Sequence, residues 1–89
     1  MKELLKFEAE WCSQCKALKP TLNNVLKDFP DVKLTIVDCE VEEQKTLKYQ
    51  IRSMPTLIYL VDGVEIGRLS GAVPASKIVE LLNGNLLVK

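Results

Sequence analysis

The sequence lacks histidine altogether, shows no excess of either charge and begins without a long apolar run. Lysine plus arginine and aspartate plus glutamate balance at twelve each, which predicts neither a nucleic acid nor a membrane surface as a partner. Charged side chains are spread through residues 1–6, so we expect neither a signal peptide nor a transmembrane segment there.

Cysteine is also scarce, and its three copies form an odd number. A secreted domain of this size would be expected to carry a framework of paired cysteines. The count therefore favours a reducing compartment, and we predict a cytoplasmic protein. The 89 residues, 47% apolar and 27% charged, have the size and composition of one ordinary globular domain, which we predict over residues 1–89.

Two of the cysteines lie close together in Trp11-Cys12-Ser13-Gln14-Cys15-Lys16. Such a pair can close a small disulfide ring at the start of a helix and exchange it with the disulfide of another protein. Unpaired N–H groups and the positive dipole at a helix N-terminus favour a thiolate there. Because Cys12 would lead the helix, we predict that it is the nucleophile and that Cys15, one turn further in, is the resolving thiol.

The same spacing also opens many zinc sites, which remain an alternative. Zinc needs about four ligands, and Cys39 is the only other cysteine, so carboxylates would have to complete the site. Redox chemistry is therefore the favoured interpretation, and we predict no metal and no cofactor. We predict that Cys39 is a structural thiol at the end of a strand.

The first half of the chain has the pattern strand, helix, strand. Apolar and polar residues alternate over residues 4–9, which predicts a strand with Lys6 and Glu8 on one face. Apolar residues at helical spacing predict a helix over residues 12–28. A run rich in β-branched residues predicts a second strand over residues 33–38, parallel to the first.

The second half predicts one short helix, a hairpin and a last helix. Residues 40–49 have the composition of a surface helix. The hairpin strands, residues 56–61 and 64–69, flank Asp62-Gly63, a strong two-residue turn signal. The last helix has Pro74 in its first turn and ends at Asn83-Gly84. The predicted order is βαβαββα, an α/β fold.

Over nearly its whole length the chain resembles the thioredoxin family. The matching residues are Phe7, Ala9-Glu10-Trp11-Cys12, Cys15-Lys16, Pro20, Lys48-Tyr49, Ile51-Arg52-Ser53, Pro55-Thr56-Leu57, Asp62-Gly63 and Gly71-Ala72. The strand and helix that normally precede the active-site strand are missing, which makes the plan similar to that of glutaredoxins. The resemblance implies a thioredoxin-like fold, with a four-stranded mixed sheet flanked by helices and the cysteine pair after the first strand.

The resemblance also implies a substrate-binding surface made of Trp11, Met54, Pro55, Gly71 and Ala72. Trp11 would face the substrate, and a cis Pro55 would lie against the dithiol. The backbone of Met54 would pair with an extended substrate chain. Gly71 and Ala72 would form the far wall of the groove, where a larger side chain would block the approach of a backbone.

The chain departs from the family at three places in and near the active site. Ser13-Gln14 stands between the cysteines in place of the usual Gly-Pro, so the reduction potential cannot be carried over. Glu8 replaces the usual tryptophan of the active-site strand. Lys6 occupies the position where thioredoxins commonly carry a buried aspartate that handles protons for the second cysteine. Lys16 adds a charge beside Cys15. We therefore predict that Lys6, Ser13, Gln14 and Lys16 tune the reactivity of the dithiol.

Three arrangements are open for Lys6. Its long stem could carry the amine out to water, which would make it a surface residue. If the amine is buried near Cys15, a charged form would stabilise a thiolate, whereas a neutral form could accept the proton of Cys15.

The predicted function is thiol–disulfide exchange. The partners would be disulfide-containing protein substrates and either an external reductase similar to thioredoxin reductase or a small thiol that reduces the oxidised pair; the protein would be a monomer. One alternative is a glutaredoxin-like reductant, coupled to glutathione or serving ribonucleotide reductase, although Trp11 favours thioredoxin. The other is a docking module in which the dithiol is incidental.

Overall fold

The computed structural model describes residues 1–84, so the last five residues of the domain predicted over residues 1–89 lie outside it. Its elements follow the predicted order βαβαββα. They are β1 (Lys2–Glu8), α1 (Ser13–Leu26), β2 (Val32–Asp38), α2 (Glu43–Lys48), β3 (Thr56–Val61), β4 (Val64–Ser70) and α3 (Ala75–Leu82).

The strands form one four-stranded mixed sheet in the order β2-β1-β3-β4. β1 is parallel to β2, because α1 crosses over between them, and antiparallel to β3. A two-residue turn joins β3 to β4, with φ of +52° at Asp62 and +82° at Gly63. Positive φ at both turn residues matches the twist of the two strands. The predicted mixed sheet is therefore confirmed, and β1 lies in its interior.

Because β1 is central, its side chains are buried on both faces of the sheet. On one face the core contains residues of α1 and α3; its fully buried members include Leu4, Leu18, Leu22, Leu57, Ile78 and Leu81. The other face carries a smaller core, made of Leu5, Phe7, Val37, Ile58 and Leu60. We call these the α1 face and the α2 face, since the residues packed against the smaller core (Cys39, Tyr49 and Ile51) flank α2.

The second helix is shorter than the predicted residues 40–49. The Asp38 carboxylate accepts a hydrogen bond from the N–H of Glu40 at 2.9 Å, and its backbone carbonyl accepts from Val41 and Glu42. These bonds hold the residues after β2 in a turn, so the helix begins only at Glu43. At the other end Gln50 adopts a φ of +54°, which the helix cannot continue through.

Several other boundaries differ from prediction by one or a few residues, whereas β3 lies where it was predicted. β1 begins earlier, because Lys2 already pairs with both neighbouring strands, and it ends before Ala9. Pro74 is the N-cap of α3 and has extended backbone angles, so it stands just before the first turn. None of the helices described within residues 1–84 combines the length and the apolar character needed to cross a bilayer.

Candidate active site

The cysteine pair lies where β1 runs into α1. The N–H of Cys12 donates to the carbonyl of Ala9 at 3.1 Å, which closes a tight turn between the two elements. Cys12 is the N-cap of α1 and Cys15 is its third residue. Their Cα atoms are 5.3 Å apart and the two sulfurs form a disulfide. The turn therefore brings both cysteines to the end of the central strand.

The sulfur of Cys12 acts as the capping acceptor of the helix. Its Sγ accepts a hydrogen bond from the N–H of Cys15 at 3.1 Å, an N–H that has no partner within the helix. When the disulfide is opened, this donor and the helix dipole favour negative charge on the Cys12 sulfur. Cys12 is 6% exposed and Cys15 is 2% exposed, so Cys12 is the more accessible of the two.

The other residues of the motif point into solvent. Trp11 is 66% exposed, which is unusual for so large an apolar side chain. Ser13, Gln14 and Lys16 are exposed as well. The motif thus presents a flat apolar surface directly beside a buried pair of sulfurs.

The segment before β3 also lies beside the cysteine pair. Met54 is half-buried and packs against Cys12, Cys15 and Ala9. The Met54–Pro55 peptide bond is cis, the isomer that the resemblance implies, and Pro55 is buried.

The loop after β4 is fastened to Pro55. The N–H of Gly71 donates to the Pro55 carbonyl at 2.8 Å. Gly71 has a φ of +88°, which other residues rarely adopt, and a side chain added there would point into open space. Ala72, the next residue, is exposed. The structure thus places Met54 beside the pair and links Gly71 to Pro55, the residue that follows Met54.

Lys6 is buried beneath the first turn of α1. It is 2% exposed, and its neighbours on the adjoining strands are the apolar residues Ile36 and Leu57. The Lys6 Nζ donates to the backbone carbonyl of Cys15 at 3.2 Å and lies 2.9 Å from a carboxylate oxygen of Glu8. Both contacts keep the amine beneath the helix, so the interpretation of Lys6 as a surface residue is wrong.

Glu8 was not among the predicted tuning residues. Its side chain is 32% exposed, so its carboxylate joins the buried amine of Lys6 to solvent. A cavity of about 310 Å³ opens beside the two residues. Its lining consists of Lys6, Glu8, Ala9, Glu10, Cys15, Lys16, Lys19 and Asp38. The sequence did contain a signal for the contact between Lys6 and Glu8, because residues two apart on a strand share a face.

Cys39 belongs to the opposite face of the sheet. Its N–H donates to the carbonyl of Glu8 at 2.9 Å, and its partly exposed side chain packs against the core of the α2 face. Within residues 1–84, no group of three or more cysteine or acidic side chains is arranged to hold a metal ion.

A protein-family model described as Thioredoxin matches residues 1–84. The chain belongs to the thioredoxin family. The structure of the thioredoxin from Fasciola hepatica superimposes with a TM-score of 0.85 at 30% identity, over 96% of this chain and 81% of the other. Mitochondrial thioredoxin 3 of Saccharomyces cerevisiae, in its oxidised form, gives a TM-score of 0.84 at 28% identity, over 92% of this chain and 77% of the other. The predicted thioredoxin-like fold is therefore confirmed.

Curated thioredoxins are similar in sequence as well. The chain is 38% identical over 88 residues to thioredoxin Y2, chloroplastic, of Arabidopsis thaliana, which covers 97% of this chain and 52% of that protein. Thioredoxin C-2 of Corynebacterium nephridii is 34% identical over 84 residues, which is 93% of this chain and 78% of that one. The chain thus spans about half the length of the chloroplastic relative and about three quarters of the bacterial one.

Membership of this family, together with a cysteine pair at disulfide distance, confirms the prediction of a thiol–disulfide oxidoreductase. Two of the positions at which this thioredoxin-family protein departs from the pattern described above, Lys6 and Glu8, form an ion pair next to the first turn of α1.

Proposed function

We propose that this protein reduces disulfides in other proteins, with Cys12 as the nucleophile and Cys15 as the resolving thiol. The observation that carries the assignment is the hydrogen bond from the N–H of Cys15 to the sulfur of Cys12. In the reduced protein this bond stabilises a thiolate on Cys12, the form that attacks disulfides. Within residues 1–84 the sulfur of Cys15 receives no such bond, and Cys15 is the more deeply buried of the two, which suits a thiol that acts second.

The reaction proceeds through a mixed disulfide. The Cys12 thiolate attacks one sulfur of the substrate disulfide, whose bond breaks as the new sulfur–sulfur bond forms, and the other substrate sulfur leaves as a thiolate. Cys15 then loses its proton and attacks the sulfur of Cys12. The second substrate sulfur leaves and the two departing sulfurs take up protons, so the substrate gains two electrons and the Cys12–Cys15 disulfide forms.

The substrate chain would lie across the surface made by Trp11, Met54, Pro55, Gly71 and Ala72. Exposed Trp11 offers apolar contact area beside the sulfurs. Met54 precedes β3, so its backbone can pair with an extended segment in the manner of an added strand. The open space above Gly71 leaves room for that backbone to approach.

The protein needs an electron donor, for which we propose a thioredoxin reductase-like enzyme or a small thiol. We further propose a cytoplasmic monomer that consists of one domain over residues 1–89. Ser13, Gln14 and Lys16 would tune the potential of the pair through their places beside its sulfurs. The donor can be identified by comparing the rate of insulin reduction with thioredoxin reductase and with glutathione plus glutathione reductase. Activity with glutathione alone would favour the glutaredoxin-like alternative.

The experiment that tests the proposal is insulin reduction with dithiothreitol as the electron source. We expect turnover by the wild type, none by Cys12→Ser, and stable mixed disulfides between Cys15→Ser and its substrates. Trapping of substrates by Cys12→Ser instead would reverse the two roles. A wild type that binds partner proteins and yet fails to reduce insulin would favour the docking module.

A further inference from the structure

Lys6 is a buried lysine in contact with Cys15. The thiol–disulfide exchange described above gives it no role. The amine of Lys6 is enclosed by β1, its neighbouring strands and the first turn of α1. Burial of a cation is unfavourable unless it is paired and hydrogen-bonded. Lys6 has both kinds of partner, the carboxylate of Glu8 at 2.9 Å and the carbonyl of Cys15 at 3.2 Å.

The contact with Cys15 places a positive charge close to a residue whose own charge changes with its redox state. A disulfide sulfur is neutral, whereas a reduced cysteine can become a thiolate. A cation at short range, in surroundings less polar than water, stabilises the thiolate and leaves the disulfide unaffected. The carboxylate of Glu8 acts in the opposite direction, weakened by its access to solvent.

We propose that Lys6 and Glu8 form a positioning pair that sets the balance between the oxidised and reduced dithiol. In this pair the Lys6 ammonium favours the reduced state and the Glu8 carboxylate favours the disulfide. The inference deepens the proposed function and rests on it, because it concerns the potential at which the same pair of cysteines works. Neither residue belongs to the substrate surface proposed above.

The redox step itself is the ordinary two-electron reduction of the pair. Two glutathione thiols supply the electrons and become one glutathione disulfide; the Cys12–Cys15 bond breaks, and each sulfur ends as a thiolate or takes a proton from solvent. Lys6 and Glu8 exchange neither electrons nor bonds in this step. They change the energy of the thiolate product alone, which moves the equilibrium constant.

Other charged groups near Cys15 also act on its sulfur, and their effects must be distinguished from those of Lys6 and Glu8. Those that line the adjoining cavity come from β1, the turn after it, α1 and β2; besides Lys6 and Glu8 they are Glu10, Lys16, Lys19 and Asp38. Glu10, Lys16 and Lys19 are exposed, so water screens their charges. Asp38 accepts a hydrogen bond from the N–H of Glu40. Lys6 is the buried cation of this group, which makes it the side chain with the strongest effect on Cys15.

The test is the equilibrium of the protein with glutathione buffers at fixed pH, followed by alkylation of free thiols and mass measurement. Lys6→Met keeps the stem and removes the charge, and we expect an equilibrium constant for reduction about tenfold lower, or about 30 mV for a two-electron couple. Glu8→Gln keeps the shape and removes the opposing charge, and we expect a shift of a few fold in the opposite direction. The thiolate titration of reduced protein should move up in pH for Lys6→Met and down for Glu8→Gln.

Two further variants serve as controls. Lys6→Arg keeps the charge and should stay close to the wild type, and Lys33→Met removes an exposed lysine from β2 and should change the equilibrium less than about twofold. A purely structural pair would shift the equilibrium in the same direction for Lys6→Met and Glu8→Gln, or no more than Lys33→Met does. Either result would overturn the inference.

The controls also cover two complications. If Lys6→Met does not fold, an unshifted Glu8→Gln would still overturn the inference. A wild type that fails to reduce insulin would overturn the proposed function, whereas missing shifts in a protein that does reduce insulin would overturn only the role of this pair.

Discussion

Phe7 and Lys6 are neighbours in β1, face opposite sides of the sheet and are both almost fully buried, with 0% and 2% exposure. Phe7 lies on the α2 face in a core that is apolar, with the ring of Tyr49 at 5.6 Å between centroids. Lys6 lies on the α1 face, beneath the first turn of α1, where the Cys15 carbonyl and the Glu8 carboxylate are its polar partners. The same strand therefore buries an apolar side chain on one face of the sheet and a paired charge on the other.

The difference shows how this sheet separates stability from chemistry. Burial of Phe7 stabilises the fold in proportion to the apolar area removed from water, and Phe7 packs in an apolar core that does not contain the reactive cysteines. Burial of Lys6 depends on Glu8 and on the Cys15 carbonyl, so it is coupled to a residue that reacts. Substitutions on the α2 face should change only the free energy of unfolding, whereas substitutions of the pair should change the redox equilibrium as well.

The largest effect on stability is expected for Phe7→Ala. Removal of a fully buried aromatic ring leaves a cavity and should lower the free energy of unfolding by about 3–5 kcal/mol. Urea denaturation followed by circular dichroism measures this loss, and Phe7→Leu, which keeps most of the volume, should lose much less. The glutathione equilibrium of folded Phe7→Ala should match the wild type; a shift as large as that of Lys6→Met would mean that the two faces are not independent.

A second prediction separates the two members of the charged pair by stability. Glu8→Leu leaves the Lys6 ammonium buried with only a carbonyl partner, which should cost about 2–3 kcal/mol. Lys6→Met leaves Glu8, which water can reach, and should cost less than about 1 kcal/mol. Urea denaturation of both variants tests this order. If Lys6→Met proves the more destabilising, the lysine acts mainly as a structural tie.

The sequence predicts the order of the elements well because local signals specify it. Asp62-Gly63 predicts the hairpin, and the observed β3 coincides with the predicted strand over residues 56–61. The length of α2 could not be read in the same way. It depends on hydrogen bonds from the backbone of Glu40, Val41 and Glu42 to Asp38 and on the positive φ of Gln50, none of which leaves a periodic pattern in the sequence.

The site could be predicted in part for a similar reason. The spacing of Cys12 and Cys15, together with the lack of histidine and the single further cysteine, indicates the redox pair. Alternation along β1 puts Lys6 and Glu8 on one face, but it does not say which helix covers that face. The burial of Lys6 follows from the position of the first turn of α1 above it, which is a matter of tertiary packing.

A third, smaller effect concerns charge at the rim of the α2 face. Arg68 of β4 donates to the Tyr49 carbonyl at the end of α2 at 2.9 Å, and to both carboxylate oxygens of Glu65 at 2.7 and 2.8 Å. The hydrogen bond from Arg68 holds the pKa of Glu65 below its ordinary value of 4.5. Because the pKa of Glu65 is lower in the folded protein than in the unfolded chain, its ion pair stabilises the fold fully above the ordinary pKa. This stabilisation is lost as the pH falls through the lower, folded-state pKa.

We therefore expect Arg68→Met to lose about 1 kcal/mol near neutral pH, since both partners are partly exposed and screened by solvent. Part of the difference from the wild type should vanish in acid, when Glu65 is protonated. Urea denaturation at neutral pH and at about pH 3 measures both effects. A difference that stays constant between the two pH values would assign the whole loss to the bond with Tyr49.

The smallest effect is expected for Cys39→Ala, which compares the third cysteine with the reactive pair. Cys39 packs at the edge of the α2 face and is partly exposed, so loss of its sulfur removes a few contacts and should cost at most about 1 kcal/mol. Its N–H bond to the Glu8 carbonyl involves the backbone and persists in the variant. Insulin turnover should remain within a few fold of the wild type, with the glutathione equilibrium unchanged. Loss of most of the turnover, with the fold intact, would show that Cys39 takes part in the exchange and that the α2 face also carries redox chemistry.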